Sequence, residues 1–115
     1  MVKVVALIPD LFFATRAQSV VERSGGAVMI VGTLDELRAA CDGERPDLVL
    51  VDLAARGVDA GAAIRAAKER GAEVIAFGPH KDLAARATAL EAGADEWVTN
   101  QRLLEVVRER AGDRT

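Results

Sequence analysis

Only one cysteine, Cys41, occurs in 115 residues, so no internal disulfide can form and the stapled scaffold of a small secreted domain is excluded. Its neighbours Leu37 and Ala40 suit a small buried thiol. A reactive thiol has no support, because no histidine or Cys-x-x-Cys partner stands near it. No apolar run reaches the roughly 18 residues that a membrane span needs. The strand-like run at residues 2–8 is too short, and no small-residue cleavage site follows it, so the expected location is cytoplasmic, without membrane association. Lys and Arg are scattered, and no block of like charges forms. With a net charge of -3, no basic face for nucleic acid is expected. Linkers, internal repeats and low-complexity stretches are also missing.

What remains describes one core. The chain is 50% hydrophobic and 29% charged, enough for a packed interior and a polar exterior, with no room for a second domain. Residues 1–111 are expected to form a single domain and residues 112–115 a loose tail.

Short β-branched runs at residues 2–8, 27–31, 47–52, 73–77 and 96–99 alternate with segments of helical spacing. In the first helix Phe13, Ala17, Val20 and Val21 share a face, and Ser24-Gly25-Gly26 stops it. Thr33 and Glu36 form a capping box for the second, which buries Leu34, Leu37 and Cys41. Asp59 caps the third, with Ala63, Ile64 and Ala67 inward. The fourth is expected over residues 80–92, with Leu83, Ala87 and Leu90 on its inner side. Asn100 is the expected cap of the fifth, over residues 101–110, with Leu103, Leu104 and Val107 inward.

The run Leu48-Val49-Leu50-Val51 is apolar without alternation, as a parallel strand covered on both faces must be. Five βα units give an α/β, doubly wound parallel sheet with five helices. Ligands bind such sheets at the carboxyl ends of the strands, where strand order reverses. Pro9-Asp10, Asp52-Leu53-Ala54, Gly78-Pro79-His80 and Thr99-Asn100 stand at those ends. In the flavodoxin-like order 2-1-3-4-5 the first and third strands are neighbours, and Asp10 and Asp52 face each other across the crevice. Two close carboxylates repel and call for a cation, a proton or a basic side chain. Mg²⁺, which takes one or two carboxylates and keeps several waters, is the natural partner.

These strings resemble the receiver domain of two-component response regulators, and the resemblance covers essentially the whole chain. It implies that Asp52 is the phospho-accepting aspartate and that Asp10 is the second of two acidic residues after strand one. Ala92-Gly93-Ala94-Asp95-Glu96-Trp97 is similar to the family string leading into strand five, with Trp97 at its aromatic switch position. Asp59 falls where the third loop usually carries an aspartate. The departures are equally plain. Pro9 replaces the first acidic residue, Gly78 stands in place of a Ser or Thr, and Asn100-Gln101 replaces a Lys-Pro pair. Asp10, Asp52 and the carbonyl of Ala54 remain to hold Mg²⁺, weakly. Phosphoryl transfer rests on positioning and charge neutralisation, so the reaction is slowed. The switch is damaged more, because phosphorylation has few differential contacts left with which to shift a population.

Other residues bear on the same rim. Arg56, four residues past Asp52, is a candidate counter-ion that could fold back onto Asp52 or Asp10; otherwise it is a solvated loop arginine. On that reading, Arg56→Ala increases Mg²⁺ affinity. His80, the only histidine, could sense pH or assist acyl-phosphate hydrolysis, or simply stand exposed in a first turn. Trp97 could anchor a partner or pack on helix four. Phe12 and Phe13 cannot both face inward, so one belongs to the rim.

Three functions compete. The first is a stand-alone pseudo-receiver acting through protein–protein contacts, with a kinase or downstream signalling protein as partner, or a homodimer through the Trp97 face. Gly78, His80, Trp97 and Asn100 mark that switch and partner face. The second is a working phospho-acceptor using Asp52 and Mg²⁺. The third is a small-molecule-binding flavodoxin-like domain, against which stands the absence of a Gly-rich phosphate loop at Pro9-Asp10-Leu11-Phe12. No other cofactor is expected. An enzyme is not expected either, since no nucleophile–base pair, zinc cluster or nucleotide fingerprint occurs.

Overall fold

Alternate residues of the apolar strands feed two separate cores on either side of one sheet. The computed structural model describes residues 1–113. Its elements run β1 (Lys3–Leu7), α1 (Leu11–Arg23), β2 (Ala27–Val31), α2 (Leu34–Gly43), β3 (Leu48–Asp52), α3 (Ala60–Glu69), β4 (Glu73–Gly78), α4 (Leu83–Glu91), β5 (Glu96–Thr99) and α5 (Asn100–Asp113). The strands pair in parallel in the order β2-β1-β3-β4-β5, the expected arrangement. On one face Ala6, Leu48, Leu50, Ile75 and Phe77 pack with Ala17 and Val21 of α1 and Leu103 and Val107 of α5. On the other, Leu7, Val49, Val51, Val74 and Ala76 meet Leu37, Cys41, Ile64, Ala67 and Ala89 from α2, α3 and α4. The two-residue period of a strand makes this division, and it explains why the four residues Leu48 to Val51 are all buried.

Helix starts follow local chemistry. Asp59 Oδ1 accepts from Ala62 N–H at 3.0 Å, and Thr33 Oγ1 accepts from Glu36 N–H at 3.1 Å. The return bond of the second cap is displaced by one residue: Glu36 Oε1 accepts from Gly32 N–H at 2.7 Å. Cys41 is buried, and burial pushes its thiol pKa up, which keeps it inert.

Four expectations need correction. Helix α4 begins at Leu83, capped by Asp82, whose Oδ1 accepts from Ala85 N–H at 3.0 Å. His80 therefore lies in the preceding turn and not in the helix. The helix is also rotated from the expected face: Leu83 and Leu90 are 66% and 45% exposed, whereas Ala89 is fully buried. Its C-terminal turn sets that rotation. Ala94 N–H donates to Ala89 O at 3.0 Å, Gly93 takes a left-handed φ of 106°, and Ala94 enters the core. The thin alanine edge is thereby held against the sheet and the leucines are turned out.

The cap of α5 is Thr99, not Asn100: Thr99 Oγ1 accepts from Arg102 N–H at 3.3 Å, and Asn100 is the first helical residue. Helix α5 also runs to Asp113, so residues 112 and 113 of the expected tail are helical, because the helix continues past its core contact at Ala111. Residues 114 and 115 lie outside the described residues. Among the described residues no helix is long and apolar enough to cross a membrane.

Candidate functional site at the carboxyl ends of the strands

The sheet register brings the chemistry together. Leu7 lies opposite Val51 in the β1–β3 pairing, so the turns carrying Asp10 and Asp52 leave neighbouring strands. Asp52 lies opposite Phe77, and Gly78 opposite Thr99. Asp10, Asp52, Ala54 and Asn100 line an open cleft of about 390 Å³ with Phe12, Phe13, Phe77 and Arg16.

Asp10 has a second occupation. It is the N-cap of α1, and its Oδ1 accepts from Phe12 N–H at 2.9 Å and Phe13 N–H at 3.3 Å. Asp52 closes β3 half-buried, and its Oδ1 accepts from Ala54 N–H at 2.9 Å. Burial raises its pKa above the usual carboxylate range; the Ala54 N–H opposes the rise and the charge of Asp10 adds to it. No ion pair joins Asp10 or Asp52 to a basic side chain among the described residues. A half-buried carboxylate beside a second one, with Oδ2 free of protein hydrogen bonds among the described residues, suits a hard cation. The donors that would hold it are the two carboxylates and, as the family resemblance implies, the carbonyl of Ala54, and among the described residues no cluster of three or more His, Cys, Asp or Glu strengthens them.

The switch positions are arranged unevenly. Gly78 ends β4, and a Cβ placed there would meet Leu53 Cβ at 3.6 Å and Cδ1 at 3.8 Å. Those are ordinary contacts, so a Cβ is accommodated there. Asn100 reaches the cleft with an amide where the family resemblance implies an ammonium. Trp97 is half-buried, packed on the core beneath α3 and α4. The guanidinium of Arg86 lies 5.4 Å from its ring centroid. Its Nε1 is buried with no hydrogen-bond partner among the described residues. The ring thus packs against the fold and is capped by a cation. Phe12 is the rim aromatic, 87% exposed, while Phe13 tilts against Phe77 at 5.4 Å between centroids.

Arg56 does not make the expected contact. It is exposed, it is not among the residues lining the cleft, and the turn at Gly57, with φ of 74°, carries it outward. His80 is likewise exposed and outside the cleft lining. Sequence reasoning missed Arg16 and Phe77. Arg16 follows Phe13 by one helical turn, so its signal was the i, i+3 spacing on a helix already anchored at Asp10. Phe77 required the strand register. A more apolar groove of about 380 Å³ lies elsewhere, between β1, β2 and α2, beside the Lys3–Glu44 ion pair. It holds none of the strand-end carboxylates.

No protein-family model matches the chain, and no curated protein matches it either. Solved structures do. The receiver domain of the TMAO respiratory system response regulator TorR superposes with a TM-score of 0.85 at 25% identity, over 99% of this chain and 98% of that one. A CheY-like response regulator receiver domain protein from Methanospirillum hungatei JF-1 gives 0.81 at 23% identity, over 98% and 95%. The receiver domain of NtrX from Brucella abortus gives 0.79 at 20%, over 98% and 99%. Against the longer NtrX chain in complex with ADP the TM-score is 0.82 at 20% identity, and the match spans 99% of this chain but 28% of that one. The chain has the fold of response-regulator receiver domains.

Proposed function

We propose that this domain is a signalling module that acts through protein–protein contacts and carries an impaired phosphoryl-transfer site. The observation that carries the reading is the composition of the cleft and of the strand end beside it: Asp10, Asp52 and Ala54 line the cleft, but Asn100 offers no ammonium and Gly78, at the end of β4, no hydroxyl. Mg²⁺ held weakly by the carboxylates and the Ala54 carbonyl would neutralise the pair and orient a phosphoryl group. A signal needs differential contacts in two states, and without hydroxyl and ammonium the occupied cleft has little hold on the Trp97 face. Turnover of a metabolite is not part of this reading. The partner would be a cytoplasmic protein, a kinase or a downstream signalling component. A second reading, a working phospho-acceptor at Asp52, is favoured by the uncompensated Asp10–Asp52 pair.

Amide spectra of the isotope-labelled protein with Mg²⁺, then with Mg²⁺ and beryllofluoride, separate the two. The impaired module gives no shifts, or shifts confined to the cleft. Shifts that spread to Trp97 and vanish in Asp52→Asn would overturn the proposal in favour of a working receiver.

A further inference from the structure

The cleft keeps a cation, though neither at Asn100 nor at Arg56. Arg16 leaves α1 between two adjoining depressions: the acidic cleft with Asp10 and Asp52, and a second depression shared with Phe13, Asn100, Gln101 and Leu104. Asn100 borders both, so the Arg16 side chain adjoins the residue that stands where the resemblance implies a lysine. It is exposed and joins no ion pair among the described residues. Its guanidinium is thus not committed elsewhere. Phe13, one turn earlier and packed on Phe77, holds this stretch of α1 against the sheet. Arginine's long stem and planar fork of donors suit a phosphoryl-type oxyanion, which it can hold with two parallel hydrogen bonds.

We infer that Arg16 is the oxyanion-binding cation of this cleft, pairing with a phosphoryl-type group on Asp52 from α1 instead of from the end of β5. This rests on reading the cleft as a receiver-type acceptor site. It goes beyond that reading by assigning the binding charge to a different element. In the empty cleft Arg16 stays in solvent; an oxyanion held over Asp52 adds negative charge and draws the guanidinium in. Because α1 packs into the core on one face of the sheet and α4 and Trp97 into the core on the other, the pairing retains a bound group without relaying it, which accords with an impaired switch.

The test is titration of the wild-type domain, Arg16→Gln, Arg16→Lys and the double variant Arg16→Gln/Asn100→Lys with beryllofluoride at fixed Mg²⁺, followed by amide shifts at the cleft. Loss of one charge-assisted contact is expected to weaken beryllofluoride binding by about tenfold or more in Arg16→Gln. Arg16→Lys should recover part of it, and Asn100→Lys should restore binding in the Gln background by returning an ammonium to the same cleft. Binding of Mg²⁺ alone should be unchanged or tighter in Arg16→Gln, a split that a merely structural role would not produce. Equal beryllofluoride affinity in wild type and Arg16→Gln overturns the assignment and leaves the acceptor-site reading standing. A wild type that binds no beryllofluoride overturns both the acceptor-site reading and the assignment. Shifts reaching Trp97 overturn the impaired-switch reading while leaving the Arg16 comparison valid.

Discussion

Asp10 performs two tasks, and a pair of substitutions separates them. As the cap of α1 it accepts from Phe12 and Phe13 N–H; as a charge it faces Asp52 and adds to the rise of its pKa. Asp10→Ala removes both tasks. Loss of an N-cap acceptor costs about 1 kcal/mol, and the exposure of Asp10 lets water solvate the freed N–H groups, which keeps the cost near that figure. With an unfolding entropy of about 2.1 cal/mol/K per residue over 115 residues, roughly 240 cal/mol/K in all, 1 kcal/mol lowers Tm by about 4 °C. Asp10→Asn keeps an amide oxygen for the cap. It loses about 0.3–1 kcal/mol of favourable charge at the helix N-terminus but relieves the repulsion on Asp52, so its Tm should stay within about 2 °C of wild type. Both variants should bind Mg²⁺ at least about tenfold more weakly, a loss of about 1.4 kcal/mol. Calorimetry and amide-shift titration with Mg²⁺ measure the two tasks independently. If Asp10→Asn melts as low as Asp10→Ala, the capping assignment is wrong. If Asp10→Asn binds Mg²⁺ like wild type, the cation site is wrong.

Three further outcomes follow from single residues. The folded pKa of Asp52 is raised, chiefly by burial, so its charged form opposes folding: this contribution is least unfavourable below the unfolded value and grows as pH rises from there through the folded pKa. Asp52→Asn should therefore be more stable than wild type at neutral pH, with an advantage that shrinks on acidification in urea melts. An advantage that grew as the pH fell would contradict the sign. On α4, Leu83→Gln and Leu90→Gln should change stability by no more than about 0.5 kcal/mol, whereas Ala89→Leu should lose about 1–3 kcal/mol by overpacking. The reverse pattern in denaturant unfolding would refute the observed rotation. Gly26→Ala should be strongly destabilising, since a Cβ there meets Val2 O and Val21 Cγ1, both at 2.9 Å, while Gly78→Ser should fold with stability within about 1 kcal/mol of wild type; equal midpoints for the two variants would count against this packing.

The amino-acid sequence by itself determined the parts that depend on short-range rules. Uninterrupted apolar residues at Leu48 to Val51 specify a strand covered on both faces, and βα alternation with right-handed crossovers specifies a doubly wound sheet. Thr33 and Asp59 cap their helices through contacts within three residues. The same logic placed Asp10 and Asp52 at one rim, because the carboxyl ends of parallel strands lie together. Tertiary structure decided what local spacing leaves open. On α4, the leucine stripe and the alanine edge both have helical periodicity, and the bond from Ala94 to Ala89 selects the alanines for the interior. At α5, Thr99 and Asn100 are both good caps, and the end of the β4–β5 pairing at Thr99 assigns the cap to the threonine. Near the carboxylates, Arg56 is the arginine closer to Asp52 in sequence, but the turn at Gly57 carries it into solvent, while the packing of Phe13 on Phe77 brings Arg16 to the cleft. Caps and periods are encoded within a few residues; which face turns inward and which charge meets which cleft depend on neighbours that only the folded chain supplies.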